Sequence, residues 1–179
     1  MNTDRTFTIT GREFRALMAN AAKNDVRYYL AGFFVDTANN TLVSTDGHAM
    51  LLVPFTPPAD CEPRIYSFDA VKIPKSAEIV TIDMDAHTLS AVSKSGKVVT
   101  TAVLAVIDGK YPDWQSVTPS DDEIDSGPAA FGFNPELVAR STRELGEVVK
   151  LQFTGSENCP FLITWNETDA RAIVMPARR

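Results

Sequence analysis

The chain is poor in the residues that carry most catalytic chemistry, with two histidines and two cysteines among 179 residues. Cys61 and Cys159 lack metal-ligand spacing, so no zinc site or disulfide framework is indicated. Free thiols in a reducing cytoplasm are expected instead. No apolar run approaches the ~18 residues of a membrane span. Met1-Asn2-Thr3-Asp4-Arg5 lacks the basic-then-apolar order of a signal peptide, and a cytoplasmic protein is expected. Neither a Gly-rich phosphate loop nor a serine nucleophile elbow occurs. Asp46 with His48, and Asp85 with His87, are the only pairs that point to metal-dependent, nuclease-like chemistry. Without a third ligand at regular spacing they read as turn and surface residues. No catalysis, cofactor or metal is expected.

Positive charge is also short. Seventeen Lys and Arg face twenty-three Asp and Glu, for a net charge of -6. That balance excludes a protein coated all round in nucleic acid. It leaves room for one that gathers its cations on a single face, because binding follows local potential.

What is present begins with a helix. Thr10 followed by Glu13 is a capping box, in which each side chain satisfies an orphan backbone N–H. Phe14, Leu17, Met18 and Ala21 recur at helical spacing as an apolar stripe, opposite Arg12, Arg15 and Lys23. A strand is predicted over Tyr28 to Val35, then a turn at Asn39-Asn40, then strands over Thr41 to Ser44 and Met50 to Phe55. The far end repeats this plan. Asn134-Pro135 caps a second helix, with Leu137, Val138, Ser141 and Leu145 on one side and Arg140 and Arg143 on the other. Strands are predicted over Val148 to Phe153 and Phe161 to Trp165. Thr168-Asp169 and Ile173-Val174-Met175-Pro176 then match Thr45-Asp46 and Leu51-Leu52-Val53-Pro54, which implies a pseudo-symmetric arrangement. Between the ends, Ile79 to Ile82, Thr88 to Val92 and Val98 to Ile107 read as strands, with no helix beyond a turn at Pro74. Asp121 to Pro128 reads as an acidic linker.

Asp25-Val26-Arg27-Tyr28-Tyr29-Leu30-Ala31-Gly32 and Val43-Ser44-Thr45-Asp46-Gly47-His48 resemble the middle domain of the bacterial sliding-clamp family, the DNA polymerase III beta subunits. So does Asp108-Gly109-Lys110-Tyr111-Pro112-Asp113-Trp114, and Ile173-Val174-Met175-Pro176-Ala177-Arg178 is similar to the end of the family's last domain. The resemblance implies an α+β DNA-clamp (processivity factor) fold, with antiparallel sheets and two basic-faced helices. Residues 1–119 would be a unit like the middle domain, 120–128 a linker, and 129–179 a half-domain like the end of the last domain. On this reading the chain is a shortened relative. With roughly three half-domain units per chain, about four copies would complete a ring of the family's size, so a homo-oligomer is expected.

The resemblance also implies partners: double-stranded DNA without sequence preference, and replication or repair proteins carrying short apolar-acidic motifs. DNA would meet Arg12, Arg15, Lys23, Arg27, Arg140 and Arg143, with a solvated outer face as the competing role for the helix cations and internal pairing for Arg27. The peptide pocket would use Leu30, Thr45, Gly47, His48, Met50, Pro112, Val117, Val174, Met175, Pro176 and Arg178. For Leu30, Val117 and Val174 plain core packing is the competing role. Ala49 and Ser116 stand where the family commonly has Arg, and Ala177 replaces a large apolar residue, which should weaken or retune the preferred motif. A ring-less form would compete for clamp-binding partners or dock on a full-length clamp.

Overall fold

The structure, a computed structural model, describes residues 5–69, 71–120, 123–124, 132–155 and 158–177. Of the linker expected over 120–128, positions 120, 123 and 124 are among them and the rest lie outside. Strand β1 (Thr6–Thr10) turns Phe7 and Ile9 inward and runs straight into helix α1 (Gly11–Asn20). The capping box forms as expected: Thr10 Oγ1 accepts from the Glu13 N–H at 3.2 Å, and Glu13 Oε2 accepts from the Thr10 N–H at 2.9 Å. Then come β2 (Gly32–Asp36), β3 (Thr41–Thr45), β4 (Ala49–Pro54), β5 (Arg64–Ser67), β6 (Ala77–Asp83), β7 (Thr88–Ser93), β8 (Val98–Val103) and β9 (Val106–Ile107). Helix α2 (Pro135–Thr142) is capped by Asn134, whose Oδ1 accepts from the Glu136 N–H at 2.9 Å. Three strands close the chain: β10 (Val149–Gln152), β11 (Phe161–Trp165) and β12 (Arg171–Val174).

All ladders are antiparallel and form two sheets, β1-β6-β7-β8 and β10-β11-β12-β4-β3-β2-β5-β9. The strands exchange between the halves of the first unit: β1 pairs with β6 of the second meander, and β5 pairs with β2 of the first. The meander β10-β11-β12 joins through β12 on β4, with Arg171 opposite Leu52 and Val174 opposite Ala49. The repeat seen in the sequence is real at the turns. Thr45 Oγ1 accepts from the Gly47 N–H at 2.9 Å, and Thr168 Oγ1 from the Ala170 N–H at 3.2 Å.

Two predicted strands are corrected. Tyr28 to Val35 does not run as one strand: Tyr28–Leu30 is a 3-10 turn closed by Ala31 N–H on the Tyr28 carbonyl, and the strand starts at Gly32. Gly32 is needed there, because a Cβ would stand 2.0 Å from the Tyr66 carbonyl oxygen on the neighbouring strand. Val98 to Ile107 breaks at Leu104, which is buried and donates its N–H to the His87 carbonyl. The chain crosses there from one sheet to the other.

The long sheet is buried on both faces, which is why β4 reads as an unbroken apolar run. Ala49, Leu51, Val53, Ala172 and Val174 face the helices, joining Phe14, Leu17, Phe33 and Ile82. Met50, Leu52, Leu162 and Ile173 face the other way, under Leu30 and Tyr111 with Trp114 packed against them. The strap Asp108–Pro119 supplies that outer cover. Tyr111 stacks on Phe34 at 5.0 Å and its hydroxyl reaches the Val43 carbonyl at 3.4 Å. Burial raises the Tyr111 pKa well above its ordinary value.

The two helices pack side by side and meet through a buried polar pair. Ser141 Oγ donates to Asn20 Oδ1 at 2.8 Å, while Asn20 Nδ2 donates to the Ala16 carbonyl at 2.9 Å, and both side chains are fully enclosed. Removing Asn20 strands the Ser141 hydroxyl in an apolar layer. Asn20→Ala is expected to cost about 1–3 kcal/mol in urea unfolding, and a loss below about 0.5 kcal/mol would deny the pair a structural role.

Candidate functional site

A cleft of about 240 Å³ opens on the outer face of the long sheet, between the strap and the β4–β12 seam. Met50 and Ile173, opposite each other in the ladder, lie in its floor with Leu30. Pro112, Trp114 and Val117 of the strap form one wall, and Thr45, Gly47, His48 and Met175 form the other. The Met175 N–H donates to the His48 carbonyl at 2.9 Å, so the two ends of that wall are tied together. The exposed lining area is mostly apolar, and Val117 and Met175 are 47% and 37% exposed, ready to lose water against a ligand.

The structure therefore gathers Leu30, Thr45, Gly47, His48, Met50, Pro112, Val117 and Met175 of the expected pocket. Val174 is a correction: it is fully buried on the helix side and its neighbour Ile173 lines the cleft. Strand alternation decides this, since a residue opposite Ala49 shares the face of Ala49. The alternation was visible in the sequence and would have found Ile173. Pro176 is half-buried and outside the cleft lining, and Arg178 lies outside the described residues. Ala49, Tyr111, Asp113 and Trp114 also line the cleft and had no such signal.

Three of the six cations expected to face DNA are paired with carboxylates, and two of them, Arg15 and Arg140, are turned inward. Arg15 Nε pairs with Glu144 at 2.8 Å and its Nη1 donates to the Pro74 carbonyl at 3.1 Å, with 14% of the side chain exposed. Arg140 pairs with Asp46. Arg27 lines the cleft, clasped to both oxygens of Asp25 at 3.0 and 2.7 Å. For Arg15 and Arg140 a guanidinium largely shielded from water needs a carboxylate to offset its desolvation; Arg27 stays 42% exposed and is held by its hydrogen bonds to Asp25. Arg12, Lys23 and Arg143 remain exposed on or just beyond the helices.

Both carboxylate oxygens of Asp46 are engaged by protein donors. Oδ1 accepts from the His48 and Ala49 N–H groups at 2.9 and 3.0 Å, and Oδ2 accepts from Arg140. Partial burial pushes its pKa up, but these hydrogen bonds and the Arg140 charge outweigh that and hold it below the ordinary value. His87 Nδ1 faces the Tyr66 hydroxyl at 3.1 Å, away from this turn. Among the described residues no three His, Cys, Asp or Glu side chains gather as a metal site would require.

Gly47, at φ 89°, is the hinge of the turn; a Cβ there would come 2.8 Å from Arg27 Nη1. Arg27 is held in that place by its hydrogen bonds to Asp25, which lower the Asp25 carboxyl from 3.8 to about 2. The folded value lies below the unfolded one, so this pairing supports the fold above pH 3.8 and is lost as pH falls through about 2. Carboxyl NMR titration should give Asp25 a midpoint of about 2, returning towards the ordinary value in Arg27→Gln. A wild-type midpoint at 3.8 would contradict the clasp.

No family model matches the chain. A beta sliding clamp of Pseudomonas putida is 34% identical over 108 residues, which is 55% of this chain and 28% of that protein. The chain thus spans well under half the length of the curated relatives that it matches. Among solved structures, a DnaN sliding clamp from Bartonella birtlesii bound to griselimycin superposes with a TM-score of 0.71 at 18% identity, covering 100% of this chain and 68% of that one. A DNA polymerase sliding clamp from Pseudomonas aeruginosa gives a TM-score of 0.67 at 20% identity, covering 100% and 68%. Over the matched stretch the sequence is similar to that of bacterial beta sliding clamps, and over its whole length the chain has the fold of the solved clamps.

Proposed function

We propose that the chain works by binding and without catalysis, as a sliding-clamp-like protein. It seats a short apolar segment of a replication or repair protein in the outer-face cleft and so recruits or tethers that protein at DNA, in the cytoplasm. The cleft carries this reading. Its Leu30–Met50–Ile173 floor suits aliphatic or aromatic anchors, and its rim offers few polar groups, with the Arg27 charge already matched by Asp25. Clamps of Bartonella birtlesii and Pseudomonas aeruginosa are described bound to griselimycin, which makes that compound the natural probe.

DNA contact on this reading falls to Arg12, Lys23 and Arg143, which meet phosphates and read no bases. Three exposed cations among the six assigned to DNA favour a low affinity unless several copies act together. Edge strands β8 and β10 have no further strand partner among the described residues, and Val98, Val103 and Leu151 stand exposed on them. Such edges suit pairing with a second copy, as in a ring. The scarcity of cations also supports a ring-less form that competes for clamp-binding partners or docks on a full-length clamp.

Calorimetry should detect griselimycin binding, lost in Met175→Asp, which places a charge at the cleft wall. No binding, or binding indifferent to that change, would reject the cleft as the site. Anisotropy with duplex DNA should give a log–log salt slope of about -3 per copy if all three cations engage phosphates. Light scattering across concentration then separates the forms: an oligomer supports the ring, and a strict monomer removes it.

A further inference from the structure

Two arginines that charge patterning assigns to nucleic acid close instead on one turn. Arg27 Nη2 donates to the Asp46 carbonyl oxygen at 3.0 Å from the cleft side, and Arg140 grips the Asp46 carboxylate from α2. The other carboxylate oxygen holds the N–H groups of His48 and Ala49, both cleft residues. Arg140 itself is absent from the cleft lining. Its side chain is 24% exposed and that of Asp46 18%, so the pair is largely shielded from water and from salt. Arg140 Nε is buried without a hydrogen-bond partner, which leaves the Asp46 carboxylate as the group that offsets its desolvation. A carboxylate held through one oxygen can still rock; fixing the second oxygen fixes the backbone that hangs from the first.

We propose that Arg140 is a positioning residue for the cleft: acting through Asp46, it sets the Gly47–Ala49 wall, so ligand affinity depends on a helix that the ligand does not touch. The inference rests on the ligand-binding reading above and adds a residue to it. It also ties the seating of α2, the helix that ends beside exposed Arg143, to the shape of a cleft on the opposite face of the sheet.

The test uses the full chain with griselimycin as probe. Arg140→Gln should weaken binding about tenfold, and Arg140→Lys should recover part of that loss, since an ammonium still reaches the carboxylate. In the ligand-free protein, the amide resonances of Gly47, His48 and Ala49 should shift in Arg140→Gln. Asp46→Asn keeps an oxygen for the two N–H groups but loses the charge. If Arg140 acts through Asp46, the double variant binds no more weakly than the worse single one. Additive losses would mean that Arg140 acts only by packing α2, and would overturn the proposal. Wild-type affinity in Arg140→Gln with the three amides unmoved would overturn it too. If Arg140→Gln fails to fold, Arg140→Lys and Asp46→Asn decide through the same amides. If the wild type ignores griselimycin, the ligand reading fails while the amide shifts still judge Arg140.

Discussion

Pairing of β4 with β12 is the constraint on which the rest depends. It joins a strand from the first third of the chain to the last strand, and it sets Met50 opposite Ile173 and Ala49 opposite Val174. Because side chains alternate across a strand, that single register divides the apolar residues between two cores. A slip by one residue would turn Ile173 into the helix side and Val174 into the cleft. The register also brings the Met175 N–H to the His48 carbonyl, which closes the cleft wall. Fold and site are therefore fixed by one ladder.

The outer core is thin and depends on the strap. Residues 108–119 hold one short 3-10 turn, Gln115–Val117, yet they cover the sheet because Tyr111 and Trp114 are large and anchored. Trp114 Nε1 donates to Asp36 at 3.0 Å, and the Asp36 carboxylate also binds Asn39, so the strap is pinned to the β2–β3 turn. The cleft is the gap that this cover leaves beside the seam. A site made in this way is preformed by its scaffold, and its shape follows from which residues the strap places over the sheet.

Local chemistry was legible in the sequence where it was self-contained. Both helix starts follow from caps within three residues, Thr10 with Glu13 and Asn134 with Pro135, and the paired Thr-Asp turns announced the repeat. Most cleft residues came from resemblance and from strand endings. What was not legible depends on distant partners. Nothing in the chain near Arg140 shows that Asp46 will reach it, and nothing near Arg15 shows Glu144. The strand predicted at Tyr28 failed for a local reason: Tyr-Tyr-Leu has strand propensity, but Arg27 is clasped to Asp25 two residues before it, and the following residues turn over that anchor. Val174 is different, since alternation alone would have sorted it from Ile173.

The redistribution of arginines changes what the charge balance means. With net charge -6, a surface that spends Arg15, Arg27 and Arg140 on Glu144, Asp25 and Asp46 removes cations and anions together, so the balance itself does not move. What moves is location. The inward arginines hold α1 to the segment after α2, and α2 to the cleft turn, in places where water is scarce and a hydrogen-bonded pair is shielded from salt. The outward ones are exposed and screened. Interactions that shape the cleft should therefore persist at ionic strengths that dissolve any contact with phosphate. Under the proposed function this separation has a use, because the grip on a partner would stay constant with salt while any hold on DNA would remain loose.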